Sequence, residues 1–235
     1  MDKDPWRRWL DANGVADLDP TSLKDCAKVH AMEVPTALIK ATTAAHLYVF
    51  WRIVGKRLER FLGEDMGVRL NRPTPQVVVL VGSDSDLPYV VPVLARAKGL
   101  GTPILNVLSC HRNPGAVYRY VADGCEGADV IVAVGGKAFH LPGVLDALIA
   151  ERGDYIPVVG VGLGSPGTES FRAARFSIEQ LPEQRVILDE DNNRAYMGQA
   201  GLEAALKRIA EEELTPLPSF EPKSPRWSVP VTFQE

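Results

Sequence analysis

Cysteine is scarce in this chain. Cys26, Cys110 and Cys125 are the three among 235 residues, and no two of them form a CxxC pair. An odd count without zinc-type spacing excludes a disulfide framework and points to a reducing compartment. A basic excess is missing too. Lys and Arg number 26 against 30 Asp and Glu, a net charge of -4, and the pI is near 5.7. That balance argues against nucleic acid as a partner. No long apolar run is present. "TALIKATTAAHLYVFWRIVGKRL" is interrupted by Lys40, His46 and Arg52, whereas a spanning helix needs roughly twenty mainly apolar residues. The stretch predicts a buried amphipathic helix, and no membrane partner is expected. "MDKDPWRRWLDANG" lacks the apolar core of a signal peptide, so a cytoplasmic location is expected. Walker, HExxH and GxSxG motifs and zinc-type Cys/His spacing are absent as well, so none of those sites is expected.

What is present divides into three stretches. Residues 1–72 read as a helical extension. In "DPTSLKDCAKVHAMEV", Asp19 or Thr21 is the expected helix cap, followed by periodic Leu23, Cys26, Ala27 and Val29. A long helix is predicted from about Pro35 to Leu62. Five consecutive bulky residues, Leu47 to Trp51, cover every side of it, which implies packing on more than one face. "NRPTPQ" is a proline-bearing linker.

Residues 73–214 change character. "VVVLVG", "TPILNVLS", "DVIVAVGG", "IPVVGVGLG" and "QRVILDE" read as strands. Continuous apolar β-branched runs of this kind fit strands covered on both faces. Between and after them, "PYVVPVLARAKGLG", "GAVYRYVADGCEGA", "GVLDALIAERG", "FRAARFSIEQL" and "GLEAALKRIAEEEL" read as helices. The alternation predicts an α/β fold, a three-layer αβα sandwich around a mainly parallel sheet of the flavodoxin-like kind. Residues 215–235 are too proline-rich for regular structure and read as a tail or an arm lying on another subunit.

In an open parallel sheet, ligands bind beyond the carboxyl ends of the strands. The ends of the first three carry "GSDSD" (Gly82 to Asp86), "SCHRNP" (Ser109 to Pro114) and "GGKAFHLPG" (Gly135 to Gly143). In the first, the Ser83 and Ser85 hydroxyls and the helix start suit a phosphate or sugar hydroxyl, while the plainer reading is that Ser83 or Asp84 caps the following helix. Asp86 could accept from ribose hydroxyls beside such a loop. In the second, Arg112 next to His111 favours the neutral, base-competent imidazole and offers a forked contact to an anion. The plainer alternative is a surface turn with Asn113-Pro114 as ordinary turn residues. His140, likewise, reads as a structural histidine or a site residue, and Cys110 as a small filler. Gly162, Gly164 and Gly167 in "GLGSPG" spell GxGxxG, but after the fourth strand, where a glycine-rich turn is the better reading.

Together, "GSDSD", "SCHRNP", "GG…HLPG", "PVVGV" and "SIEQLP" resemble the PurE family over about Val77 to Ile209. Its members are aminoimidazole ribonucleotide carboxylases and carboxyaminoimidazole ribonucleotide mutases of purine biosynthesis. The resemblance implies that His111 is the general acid/base and that Ser109 and Arg112 belong to a phosphate-binding loop. It implies that Ser83, Ser85 and Asp86 contact phosphate and ribose. His140 would lie near the carboxyl group or carbon dioxide, with Gly135, Gly136 and Lys137 forming the neighbouring wall. A phosphorylated small molecule as substrate, carbon dioxide or bicarbonate as co-substrate or trapped intermediate, no cofactor, and an octameric homo-oligomer follow from the same resemblance.

The chain departs from the family pattern at several places. Cys110 stands for alanine, Asn113 for threonine, and Gln199 where some members have lysine. "GGKAFHLPG" is one residue longer than the usual GGAAHLPG, with Lys137 inside the longer loop. The departures leave two other readings in play. One is a divergent relative acting on another phosphorylated heterocycle. The other is a non-catalytic nucleotide-binding or assembly protein, against which the intact Ser-x-His-Arg loop speaks.

Overall fold

A computed structural model of the chain describes residues 4–54, 58, 61–68, 74–137, 139–154, 156–181, 185–190 and 192–214. Three helices come first: α1 (Asp4–Ala12), α2 (Leu23–His30) and α3 (Thr36–Val54). The helical reading of this stretch holds, but its capping residue differs. Ser22, not Asp19 or Thr21, caps α2, its side chain accepting from the Asp25 amide. Asp19 instead folds back on Thr21, accepting from both its amide and its hydroxyl, so neither is free to serve the helix. The predicted far end of α3 falls partly outside the described residues, and Phe61–Asp65 form a π-helical turn. The side chains of Tyr48 and Trp51, and the proline-rich tail, also lie outside them.

The alternating segment follows as β1 (Val77–Val81), α4 (Leu87–Leu94), β2 (Ile104–Val107), α5 (Pro114–Ala122), β3 (Val130–Gly135), α6 (Leu141–Glu151), β4 (Val158–Gly162), α7 (Glu169–Glu179), β5 (Tyr196–Met197) and α8 (Gly198–Glu211). The strands form one parallel sheet in the order β2-β1-β3-β4-β5. This is the flavodoxin-like order of a doubly wound sheet.

Alternate residues of a strand point to opposite faces, and here both faces are apolar. Val77, Val79 and Val81 pack with Val90 and Val93 of α4 and with Leu202, Leu206 and Ile209 of α8. Val78 and Leu80 pack on the other side with Val117 and Val121 of α5, Leu145 and Ile149 of α6, and Ile178 of α7. Three layers result, as the continuous apolar runs require.

"QRVILDE" is not a full strand. Ile187 makes one parallel bridge to Val159, and Asp189 bridges Arg194 antiparallel across a turn. Asn193 adopts a left-handed conformation in that turn, φ 53°. The chain leaves the sheet there and returns as the two-residue β5 beside the carboxyl end of β4.

The order of the strands also fixes where a ligand can go. The chain steps from β1 outward to β2, then returns across β1 to β3 by a helix on the opposite face. The crevice opens beyond the carboxyl ends of β1 and β3, where the winding direction reverses.

Candidate active site

A cleft of about 370 Å³ occupies that crevice, and the loops following β1, β2 and β3 all line it. Ser83, Ser85, Asp86, Ser109, His111, Arg112, Gly135, Gly136, Lys137 and His140 all border it. The sheet brings together every candidate that the sequence offered.

Each loop is held by local bonds. After β1, the Ser83 side chain accepts from the Ser85 amide at 3.4 Å and hydroxyl at 3.0 Å. Ser83 therefore caps the short turn Asp84–Asp86 and faces the cleft at once; the two readings of that serine are compatible. After β2, Ser109 Oγ accepts from the Arg112 amide at 3.2 Å. Asn113 Oδ1 accepts from the Ala116 amide at 3.1 Å, capping α5, with Pro114 in its first turn. Asn113-Pro114 is a turn and helix start, as its residue types suggest. Its effect is to hold Cys110, His111 and Arg112 on the cleft wall.

After β3, the glycines have different roles. A Cβ on Gly135 would lie 2.5 Å from ring atoms of Phe139. The ring, itself buried, thus fills the space beside Gly135. Gly136 has nothing within 4 Å of its Cβ position, so it is the glycine that leaves room. Phe139 was missed because one apolar residue in a glycine loop gives no periodic signal.

His111 and His140 meet across the cleft. His140 Nδ1 lies 3.1 Å from His111 Nε2, with the rings edge-on at 69° and centroids 5.1 Å apart. Such a contact needs one N–H and one lone pair, so the tautomer of one ring sets that of the other. Both imidazoles are exposed to the cleft, where a ligand atom can reach them. Lys137 Nζ lies 3.6 Å from Glu169 Oε2, at the start of α7.

Burial tunes two more groups. It raises the Asp86 carboxyl above the ordinary carboxylate range, partly offset by the Ser83 backbone amide. It also raises the half-buried Cys110 thiol, which keeps that sulfur protonated and suits the filler reading. Among the described residues, no group of three or more His, Cys, Asp or Glu side chains is placed to hold a metal ion. None of their helices is long and apolar enough to cross a membrane. "GLGSPG" is a turn: Gly164 and Gly167 have positive φ, and Thr168 then caps α7, accepting from the Phe171 amide at 3.2 Å. Gln199 is not among the residues bordering the cleft and donates to the Tyr89 carbonyl at 2.9 Å.

Residues 76–212 match the family model described as AIR carboxylase. The chain belongs to the AIR carboxylase family. That stretch contains all three cleft loops. An N5-carboxyaminoimidazole ribonucleotide mutase from Pyrococcus horikoshii is 31% identical over 138 residues, 56% of this chain and 75% of that protein. A Mycobacterium tuberculosis protein of the same name is 30% identical over 161 residues, 58% of this chain and 92% of that protein. A phosphoribosylaminoimidazole carboxylase from Candida albicans is 29% identical over 150 residues, 60% of this chain and 26% of that protein. Members of the AIR carboxylase family thus carry both activity names.

Proposed function

We propose that the chain forms 4-carboxyaminoimidazole ribonucleotide in purine biosynthesis, by carboxylating aminoimidazole ribonucleotide or by rearranging its N5-carboxy isomer. The observation that carries this reading is the His111–His140 contact over an anion-suited cleft, in a chain of the AIR carboxylase family.

The chemistry asks for a single movable proton. Carbon C4 of the aminoimidazole is electron-rich and attacks carbon dioxide, forming a C–C bond. C4 then bears both a proton and a carboxylate. Removal of that proton restores the aromatic ring, and an imidazole that titrates near neutrality can take it or return it. His111 is the base in this reading. His140 is its partner, fixing the tautomer and accepting the added charge of the imidazolium. In the rearrangement, the N5–C bond breaks first, releasing carbon dioxide while the nitrogen takes up a proton. Carbon dioxide then has to stay in the cleft until C4 attacks it. Ser83, Ser85, Ser109 and Arg112 hold the phosphate, Asp86 the ribose hydroxyls, and the open face of Gly136 the ring.

Residues 1–72 form a helical extension to the catalytic unit at 73–214, with 215–235 as a tail. The active form is a cytoplasmic homo-oligomer, an octamer in keeping with the family resemblance. No cofactor enters the reaction.

Two substrate offers distinguish the versions. Protein given N5-carboxyaminoimidazole ribonucleotide, or aminoimidazole ribonucleotide with bicarbonate, is followed by product absorbance. His111→Asn is expected to lower turnover by about 10²- to 10⁴-fold, the usual scale for a lost general base, while ribonucleotide binding stays within a few fold. Undiminished turnover in that variant removes His111 from the mechanism. No turnover of either substrate by the wild type removes the functional reading.

A further inference from the structure

The loop after β3 contains a cation with no counterpart in the usual GGAAHLPG pattern. Its surroundings bear on what it does. Phe139, in the same longer loop, is buried against Gly135, and this anchors the loop from below. Lys137 is left at the cleft rim, 61% exposed, facing Glu169.

Two cations line the cleft, and the sheet order keeps them apart. Arg112 follows β2 and Lys137 follows β3, with β1 between those strands. At about 4.8 Å per strand spacing, the two loops begin roughly 10 Å apart. The His111–His140 contact spans that gap. Arg112 is therefore on one flank of the imidazole pair, and Lys137 on the flank toward β4 and α7.

We propose that Lys137 binds the transferable carboxylate, and so makes the cleft discriminate carboxylated from uncarboxylated ribonucleotide. The inference rests on the functional reading above. In that ligand the ribose phosphate hangs from N1, and C4 lies across the five-membered ring. Phosphate and carboxylate are then at opposite ends, as are Arg112 and Lys137. Among the described residues, Asp86 is the one acidic side chain bordering the cleft, and it lies on the β1 loop rather than the β3 loop of Lys137. Before ligand arrives, Glu169 faces the ammonium. Both partners are well exposed, 61% and 79%, so the pair is weak and exchanges readily for a ligand carboxylate. Uncarboxylated ligand leaves Lys137 with Glu169 and gains nothing from it.

The test measures dissociation constants for 4-carboxyaminoimidazole ribonucleotide and for aminoimidazole ribonucleotide by calorimetry. Wild type, Lys137→Met and Lys137→Arg are compared. Lys137→Met is expected to weaken the carboxylated ligand by about tenfold, the usual effect of losing one charge-assisted hydrogen bond. The uncarboxylated ligand should change less than about twofold, and Lys137→Arg should recover most of the loss. Equal weakening of both ligands, or no change in either, overturns the inference while leaving the functional reading intact. Wild-type protein that binds neither ribonucleotide overturns the functional reading and the inference with it.

Discussion

Asp86 is half-buried where the β1 loop enters α4, and burial lifts its carboxyl above the ordinary value despite the Ser83 amide. A carboxyl with a raised folded pKa holds its proton more tightly when folded than when unfolded. Stability then falls as pH rises from the unfolded value, ~3.9, to the folded one, and the penalty is fully present above that. Asp86→Asn is accordingly expected to raise the urea midpoint at pH 7, with the gain vanishing below about pH 3.9. Ribonucleotide binding should weaken in the same variant, as expected where a site residue is kept at some cost to stability. A variant less stable than wild type at pH 7 would show that the Asp86 charge supports the fold. Sequence made His111 and His140 legible because each follows a strand recognisable by its apolar run. Phe139 and Glu169 were not legible. The role of Phe139 depends on where its ring lands against Gly135, and that of Glu169 on a helix that starts more than thirty residues beyond Lys137.

Among the elements, the first four strands emerged from sequence close to their observed bounds, whereas the helices read over "PYVVPVLARAKGLG" and "GAVYRYVADGCEGA" end earlier, at Leu94 and Ala122. Signals shared among several polar residues did not emerge in this way. Ser22 won the cap of α2 because Asp19 was occupied by Thr21. "QRVILDE" has strand composition, yet two of its charged residues are drawn into side-chain pairs. Arg185 Nε reaches Asp146 of α6 at 3.0 and 3.3 Å, and Glu190 pairs with Arg208 of α8 at 2.6 Å. The first pair is nearly sealed, each side chain 9% exposed, and burial raises the Asp146 carboxyl against the pull of Arg185. It fastens α6 to the segment that bridges β4. Arg185→Met leaves a buried carboxylate without its cation, and about 3–5 kcal/mol of stability should be lost at neutral pH. The deficit should shrink as pH falls through the raised folded pKa of Asp146, because the carboxyl then accepts a proton instead of holding an unpaired charge. Asp146→Leu combined with Arg185→Met should recover most of the loss. A single variant as stable as wild type in denaturant titrations would mean that water already reaches this pair.

At the scale of the whole molecule, the two main stretches are built differently. The strands β1, β3 and β4 are buried throughout and the edge strand β2 only in part, whereas no described side chain among residues 4–54 is buried, so α3 is not the buried helix its sequence predicts. The N-terminal helices nonetheless carry large apolar residues: Leu23 is 89% exposed, Ile53 79% and Ile39 48%. Contacts among the described residues of the stretch include Trp6 Nε1 donating to Thr42 Oγ1 and Trp6 meeting Trp9 edge-on at 82°. Helices with exposed apolar residues gain stability by covering them. A second copy of the chain would supply that cover in the homo-oligomer proposed above, where a symmetric contact would repeat the gain at each interface. Burying one isoleucine contributes about 1.5–3 kcal/mol, so Ile53→Glu should raise the subunit dissociation constant by at least tenfold. The measurement is sedimentation or light scattering of the full chain across a concentration series. Wild type should give a mass at least twice the 25.6 kDa of one chain, and the variant a smaller species at the same concentration. Because Ile53 lies outside the sheet and its flanking helices, the variant's α/β unit should keep its cooperative unfolding. An identical mass distribution for both proteins would place Ile53 outside any contact between copies, and the apolar helices would then need cover from another source.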